Sequence, residues 1–319
     1  MNSRQKAKQW PFPRHKYFIR DLRNAAAAWF HSHEFTTHPR MAYCLSGWDQ
    51  WKSNIILPEV ASYIANQSVD AQEKEIPFPL HKYLHHGLSS QAMAFNLIGP
   101  LITREDYKPL CDALRRKNIQ GVDKIVSASF EYEDRDVFNE DAGQPTSIDI
   151  VLKNAGGQPR VFIESKLVEQ EFGGCSVFGD GDCSGMNPIG CEDNCFLHFI
   201  GRKYWPLMAK HGITESVKTD RQCLFTAHYQ FFREIILAIE KGGTFVLLSD
   251  ERSPVFKCRS GDREKGLMPF LTGLLPEQLR AFVTSISTQE LVCAIKEYKS
   301  HHDWVFEFEK KYGMAEQAA

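Results

Sequence analysis

The sequence lacks any long hydrophobic run. No stretch of its 319 residues approaches the ~20 consecutive apolar residues that a helix needs to cross a bilayer. The opening residues, MNSRQKAKQWPFPRHKYF, are basic but contain no apolar segment of the kind that marks a secretion signal. We therefore expect a cytoplasmic protein with no membrane partner.

The chain also has no excess of charge of either sign. Its 38 Lys and Arg residues against 40 Asp and Glu residues give a formal net charge of -2. No global positive field attracts nucleic acid, so any such contact must use a local basic patch. Two basic runs, at residues 4–16 and 115–117, are candidates for phosphate contacts, and a solvated helix face is the alternative for each.

Low-complexity tracts and internal repeats are absent as well. With 43% apolar and 12% aromatic residues, the composition is that of an ordinary globular protein and excludes a disordered chain. The length is compatible with one elaborated domain. We predict a core over residues 79–260, with a helical N-terminal extension at residues 1–78 and a helical C-terminal segment at residues 261–319.

Helical spacing of apolar residues marks the first part of the chain. Residues 22–30 and 54–65 show it, so we predict that residues 20–70 are mainly helical. Ser89, Ser90 and Gln91 are typical of a helix start and precede the apolar run AMAFNLIGPLI. We expect that helix to be buried and to be interrupted at Gly99 and Pro100.

Helical spacing returns near residue 220. Apolar residues recur there at three- and four-residue steps until a Gly-Gly pair supplies a stop, and the apolar segment TFVLLSD follows as a strand. Residues 276–312 are predicted to form two or three amphipathic helices. The expected packing residues of this last segment are Trp304, Phe306 and Phe308.

Three segments in the middle of the chain predict β-strands. Residues 125–132 (IVSASFEY), 147–152 (SIDIVL) and 160–167 (RVFIESKL) alternate and are rich in β-forming residues. The turn-type cluster NAGGQP between the second and third segments predicts an antiparallel hairpin. The order of strands and helices indicates an α/β fold with a mixed sheet.

The third strand carries an acid and a base on one face. Side chains two residues apart in a strand point the same way, so Glu164 and Lys166 stand side by side. On the preceding strand Asp149 replaces an expected apolar residue, and the hairpin can bring it beside Glu164. Burial of two carboxylates requires a cation, and Mg²⁺ suits such a pair. The alternative is a solvated strand face with weak salt bridges.

The surroundings of these residues resemble the PD-(D/E)xK nuclease superfamily, and in particular the PGN_0703-like family of restriction-endonuclease-like proteins. The resemblance covers most of the chain from about residue 20. It implies a restriction-endonuclease-like mixed sheet flanked by helices, with helical extensions at both ends. The segments that carry it are SSQAMAFNLIGPL, FEY, TSIDIVL, FIESKLVEQEFGGC and HYQFFREIILAI, in that order.

The resemblance also implies roles for individual residues. Asp149 and Glu164 correspond to metal ligands and Lys166 to the catalytic lysine. Glu131 matches an upstream acid that can join the metal shell, and a surface glutamate is the alternative. Gln230 matches a position that approaches the lysine or the substrate phosphate. The proline that gives the superfamily its name is absent, because Ser-Ile precedes the first acid.

Three further polar residues are weaker candidates. Arg233 lies near Gln230 on the same predicted helix and can contact phosphate or form a salt bridge with an acid. Gln91 and Asn96 lie on the helix that is expected to pack near the sheet.

The function implied by the resemblance is that of a nuclease dependent on Mg²⁺ or Mn²⁺. Its expected substrate is DNA, in prokaryotic defence against foreign DNA, and it is expected to act as a homodimer or within a multi-protein complex. Two alternatives stay open. One is a non-catalytic nucleic-acid-binding or scaffold protein that retains the nuclease fold, and the other is a hydrolase of small phosphodiesters.

A Gly- and Cys-rich insertion is predicted at residues 168–200. Cys175, Cys183, Cys191 and Cys195 fall within it, and four thiols fit a Zn²⁺ ion or an iron–sulfur cluster, with His198 as a replacement ligand. Free thiols or a local disulfide are the alternatives. The paired histidines elsewhere, at residues 31 and 33, 85 and 86, and 301 and 302, are predicted to be surface residues without a role.

Overall fold

A five-stranded mixed sheet with helices on both faces forms the centre of the protein. The computed structural model describes residues 12–76, 78–141, 143, 145–260 and 263–314. The strands of the central sheet lie in the order β3-β4-β5-β6-β9. Their bounds are β3 Ile125–Asp134, β4 Thr146–Asn154, β5 Pro159–Lys166, β6 Thr244–Ser249 and β9 Val283–Ser287.

The sheet is antiparallel on one side and parallel on the other. Strands β3, β4 and β5 pair antiparallel, whereas β5, β6 and β9 pair parallel. Two small antiparallel pairs lie outside it. They are β1 Thr37–His38 with β2 Met41–Leu45, and β7 Cys258–Ser260 with β8 Arg263–Lys265.

The helices divide between the two faces of the sheet. Alternate residues of β5 enter two different apolar cores, since Val161 and Ile163 belong to one and Phe162 to the other. The first core is covered by helices α1 Phe12–Ser32, α2 Pro58–Glu73, α3 Ser90–Thr103, α4 Lys108–Arg115, α12 Thr288–Lys296 and α13 His302–Lys311. On or beside the second core lie α5 Ser176–Gly179, α6 Phe196–Phe199, α7 Tyr204–Lys210, α8 Ile213–Val217, α9 Phe225–Glu240, α10 Leu267–Gly273 and α11 Glu277–Arg280.

Helix α3 is continuous through Gly99 and Pro100, so the predicted interruption is wrong. Ser89 caps it by accepting a hydrogen bond from the backbone N–H of Ala92 at 3.2 Å. Every residue from 92 to 102 is buried, and this packing outweighs the backbone bond that proline cannot make. Gly99 is needed for close approach, because a Cβ there would lie 2.4 Å from the Val60 side chain.

Three other expectations are corrected. Residues 37–45 contain the β1–β2 pair within a region predicted to be helical. The last segment contains strand β9 as well as helices, because the five residues VTSIS pair in parallel with β6, which is distant in the sequence. Phe306 is 42% exposed, whereas Trp304 and Phe308 are fully buried as expected. No helix in the described ranges is long and apolar enough to span a membrane.

Candidate active site

Three acidic residues lie side by side on three adjacent strands. Glu131 is on β3, Asp149 on β4 and Glu164 on β5. The register of the strands sets Asp149 opposite both of the other acids. The neighbouring pairs that define this register are Phe130 with Ile150, Tyr132 with Ile148, and Ile150 with Ile163. The hairpin therefore brings Asp149 beside Glu164, as the sequence predicts.

Lys166 is held between an acid and an amide. Its Nζ lies 2.8 Å from Oε1 of Glu164 and donates to Oε1 of Gln230 at 3.0 Å. Gln230 also donates from Nε2 to Oε1 of Glu164 at 2.7 Å, so the three side chains form a closed triangle. Burial disfavours the ammonium, but Glu164 and other nearby carboxylates outweigh burial and raise the pKa of Lys166. The lysine is therefore a fixed positive charge.

Asp149 is anchored by the next strand. Its Oδ2 accepts a hydrogen bond from the backbone N–H of Ser165 at 2.8 Å. Burial, and then the charges of Glu164 and Glu131, raise the pKa of Asp149 well above its usual value. The positive charge of Lys166 lowers this pKa only in part, because burial and two neighbouring carboxyl groups act against it.

Glu131 adopts an unusual backbone conformation within strand β3. Its φ of 51° is in the left-handed region, which non-glycine residues rarely occupy and which is enriched at functional sites. Gln91 donates from Nε2 to Oε1 of Glu131 at 2.6 Å, which brings helix α3 to the acidic residues. Burial, together with Glu164, raises the pKa of Glu131 to about 7.

A further acid, Glu234, was not predicted from the sequence. It lies one turn after Gln230 on helix α9 and is only 1% exposed. Within the described residues neither carboxylate oxygen makes a hydrogen bond of normal geometry, although the nearby Gln230 amide acts to lower the pKa of Glu234. Burial and then Glu164 raise that pKa well above the usual value. The sequence signal for this residue was its spacing of four positions from Gln230, which places both side chains on the same face of a helix.

Two of the weaker candidates have structural partners. Arg233 forms a salt bridge with Glu140 at 2.6 Å and donates to Thr146 at 2.9 Å, which agrees with the salt-bridge alternative. Asn96 lies among the helices, where its amide oxygen accepts from the backbone of Ile56 at 2.7 Å. Neither of these side chains contacts the three acids.

The basic run at residues 115–117 is neutralised by ion pairs. Arg115 contacts Asp112 and Asp123, Arg116 contacts Glu297 at 2.7 Å, and Lys117 contacts Glu290 at 2.5 Å. This run is therefore not a free phosphate-binding patch. Most of the basic run at residues 4–16 lies outside the described residues.

The acidic residues suit a hard divalent cation. Mg²⁺ usually takes one or two protein carboxylates and completes its shell with water and phosphate oxygens. Asp149 and Glu164 lie on neighbouring strands, so these are the residues that could hold such an ion. The raised pKa values of Asp149 and Glu131 have the same first cause, which is burial, and the charge of Glu164 raises both further.

The structure groups the cysteines differently from the predicted set. Cys175, Cys183 and Cys195 line one small cavity, but its fourth cysteine is Cys223. Cys191 is exposed and lies outside it, because the loop turns back toward the start of helix α9. His198 is not part of the cavity lining and lies 3.8 Å from Asp193.

One tight group of metal-type ligands lies elsewhere. The ligand atoms of Cys44, His85 and His86 are all within 4.8 Å of one another, and no other such set occurs in the described part of the chain. An isolated β-bridge between Cys44 and His86 brings these residues together. The pair His85 and His86, expected to be surface residues, is thus partly enclosed. Neither the three acids nor the cysteines form so tight a group.

The fold and the acid-lysine cluster define a restriction-endonuclease-like protein, with a mixed sheet flanked by helices. Residues 23–313 match the family described as restriction endonuclease associating with ARP, and the chain belongs to that family. Membership indicates a nuclease-like, defence-related role. No curated protein and no solved structure matches the chain.

The raised pKa values predict an unusual pH dependence of stability. A carboxyl group with a higher pKa in the folded than in the unfolded state stabilises the fold below its unfolded pKa, and this contribution is lost as the pH rises through the folded value. Glu131, with a pKa of about 7 against an ordinary value of 4.5, should therefore lower the melting temperature in EDTA as the pH rises from about 4.5 to about 7.5. We expect Mg²⁺ to reduce this loss.

Thermal unfolding of Glu131→Gln measured in parallel provides the matched comparison. The variant should lose less stability than the wild type over the same range, because glutamine does not ionise. Unfolding curves whose pH dependence is the same for both proteins would contradict the assignment of this titration to Glu131.

Proposed function

We propose that this chain is a metal-dependent nuclease that hydrolyses phosphodiester bonds of DNA in prokaryotic defence, with a site of the PD-(D/E)xK type. The observation that carries the proposal is the closed triangle of Glu164, Lys166 and Gln230 with Asp149 on the adjacent strand. Buried acids beside a buried lysine at strand positions suit phosphoryl-transfer chemistry better than a structural role.

Asp149 and Glu164 are the residues that would hold Mg²⁺ or Mn²⁺, and Glu131 is placed to join them. When bound, such an ion polarises a phosphoryl oxygen and lowers the pKa of a coordinated water. Lys166 carries a positive charge and stabilises the negative charge that develops on the phosphate, rather than accepting a proton. Gln230 keeps the ammonium in place.

Action together with another protein is part of the proposal. The family description names an association with a partner abbreviated ARP. The formal net charge of -2 offers no strong general attraction to DNA, so a partner that recruits the nuclease to its substrate would supply what this chain lacks. A homodimer is a second way to place two active sites on the two strands.

Incubation of the purified chain with plasmid and with linear DNA tests the proposed activity. We expect cleavage products with Mg²⁺ or Mn²⁺ and none with EDTA. Lys166→Ala, purified in the same way, controls for contaminating nucleases and should be inactive. Lys218→Ala removes an exposed lysine and should cut normally.

Two other results would favour a function other than a DNA nuclease. Salt-dependent DNA binding that EDTA does not change, without any product, would favour a scaffold protein that retains the fold. Turnover of small phosphodiesters but not of polymer would indicate a different hydrolase.

A further inference from the structure

Four cysteines line one small cavity beside the loop that follows β5. Cys175, Cys183, Cys195 and Cys223 all line it, and all four are free. Burial raises the pKa of Cys175 and Cys223, and negative charge on the other sulfurs of the set raises it further, although the sulfurs lie farther apart than the ligand atoms of Cys44, His85 and His86. Four cysteines are a common ligand set for structural zinc.

Each of these sulfurs has an N–H group directed toward it. Such donors stabilise a thiolate more than a neutral thiol, so they partly offset the burial that raises the pKa of Cys175 and Cys223. For three of the four cysteines, one donor is the backbone N–H two residues further along the chain. The donors are Val177 and Phe178 for Cys175, Gly185 for Cys183 at 3.4 Å, Phe225 for Cys223, and the indole of Trp205 for Cys195 at 3.3 Å.

The size and lining of the cavity suit a single ion. Its volume is about 20 Å³, which is room for one ion or one water molecule. Apart from the sulfurs, its walls are mainly apolar, with Val177, Phe178, Leu197 and Phe225 among them. A water there would find few polar partners, whereas a metal ion finds four sulfurs.

We propose that Cys175, Cys183, Cys195 and Cys223 bind a structural zinc ion. Ligation releases the four thiol protons to solvent and leaves a complex with two negative charges, which the surrounding N–H groups offset. This inference does not depend on the proposed nuclease activity, because it concerns how the loop is held.

The zinc ion joins the insertion to the beginning of helix α9. Backbone hydrogen bonds already connect them, from Cys175 to the carbonyl of Phe225 at 2.8 Å and from Gln230 to the carbonyl of Gly173 at 3.0 Å. The approach is close, because a Cβ on Gly174 would lie 2.4 Å from the carbonyl oxygen of Thr226. Zinc thereby fixes the helix turn from which Gln230 reaches Lys166.

Metal analysis of the purified full chain tests the site. We expect Cys223→Ser to contain one zinc equivalent less than the wild type. Cys191→Ser is the matched control from the same insertion, and Cys293→Ser is a second exposed control. Both controls should keep the wild-type zinc content. Equal zinc content in all four proteins, or loss from Cys191→Ser with retention in Cys223→Ser, would overturn the proposal.

A second measurement avoids dependence on a variant that fails to fold. Native wild-type protein is treated with a zinc chelator, and the thiols that react with a thiol-specific reagent are counted before and after. We expect four additional reactive thiols, a lower melting temperature, and reversal of both by added zinc. No increase in reactive thiols would contradict the site. Detection of iron in the purified protein, together with the visible absorption of an iron–sulfur cluster, would show a different cofactor and overturn the proposal.

Discussion

Replacing Asp149 with asparagine is expected to abolish Mg²⁺-dependent DNA cleavage while the protein stays folded. Asparagine keeps the shape of the side chain and can still accept the hydrogen bond from the Ser165 backbone. It removes a charge that Mg²⁺ requires and that burial makes unfavourable in the metal-free protein. We expect a loss of at least about a hundredfold in kcat, the size of effect that removal of one transition-state contact produces.

Metal binding and stability distinguish this loss from general damage. Asp149→Asn should be as stable as the wild type in EDTA, or more stable at high pH, and should gain little stability from Mg²⁺. Asp193→Asn removes an acid whose side chain is 95% exposed and should cut and bind Mg²⁺ normally. An Asp149→Asn variant that cuts DNA at the wild-type rate would exclude Asp149 from the metal site.

Local patterns were enough to predict the central part of this site. Alternation along VFIESKL places Glu164 and Lys166 on one face, and the turn cluster after β4 predicts the hairpin that brings Asp149 to them. These contacts are set by residues within about twenty positions of one another, over which strand periodicity and turn chemistry act directly.

Contacts made by distant segments could not be predicted in the same way. Glu234 lies within an apolar helical stripe, and its spacing alone does not distinguish a buried acid from a solvated one. Cys223 lies outside the cysteine-rich insertion and reaches it only because the insertion folds back onto the start of α9. Strand β9 depends on pairing with β6, which precedes it by more than thirty residues.

Removing the charge of only one member of the Glu164 and Lys166 pair is expected to destabilise the protein strongly. The two side chains are only 4% and 9% exposed, and their charged atoms are 2.8 Å apart. Lys166→Met leaves Glu164 buried beside other acids without its cation, and removal of one partner of a buried pair costs about 3 to 5 kcal/mol. We expect a loss of about that size in the free energy of unfolding measured with urea in EDTA.

Removing both charges should cost less than the sum of the two single changes. In Glu164→Gln with Lys166→Met no unpaired charge of the pair remains, so a double-mutant cycle should give a coupling of about 2 kcal/mol. The exposed pair Glu215 and Lys218 is the matched control, with 71% and 55% of the side chains exposed, and should give a coupling below about 1 kcal/mol. Because the double variant should be the more stable one yet equally unable to cut DNA, it separates the catalytic role of Lys166 from its role in folding. Additive single effects at Glu164 and Lys166 would mean that the two charges do not interact, and the lysine would then lack the fixed position on which the proposed chemistry depends.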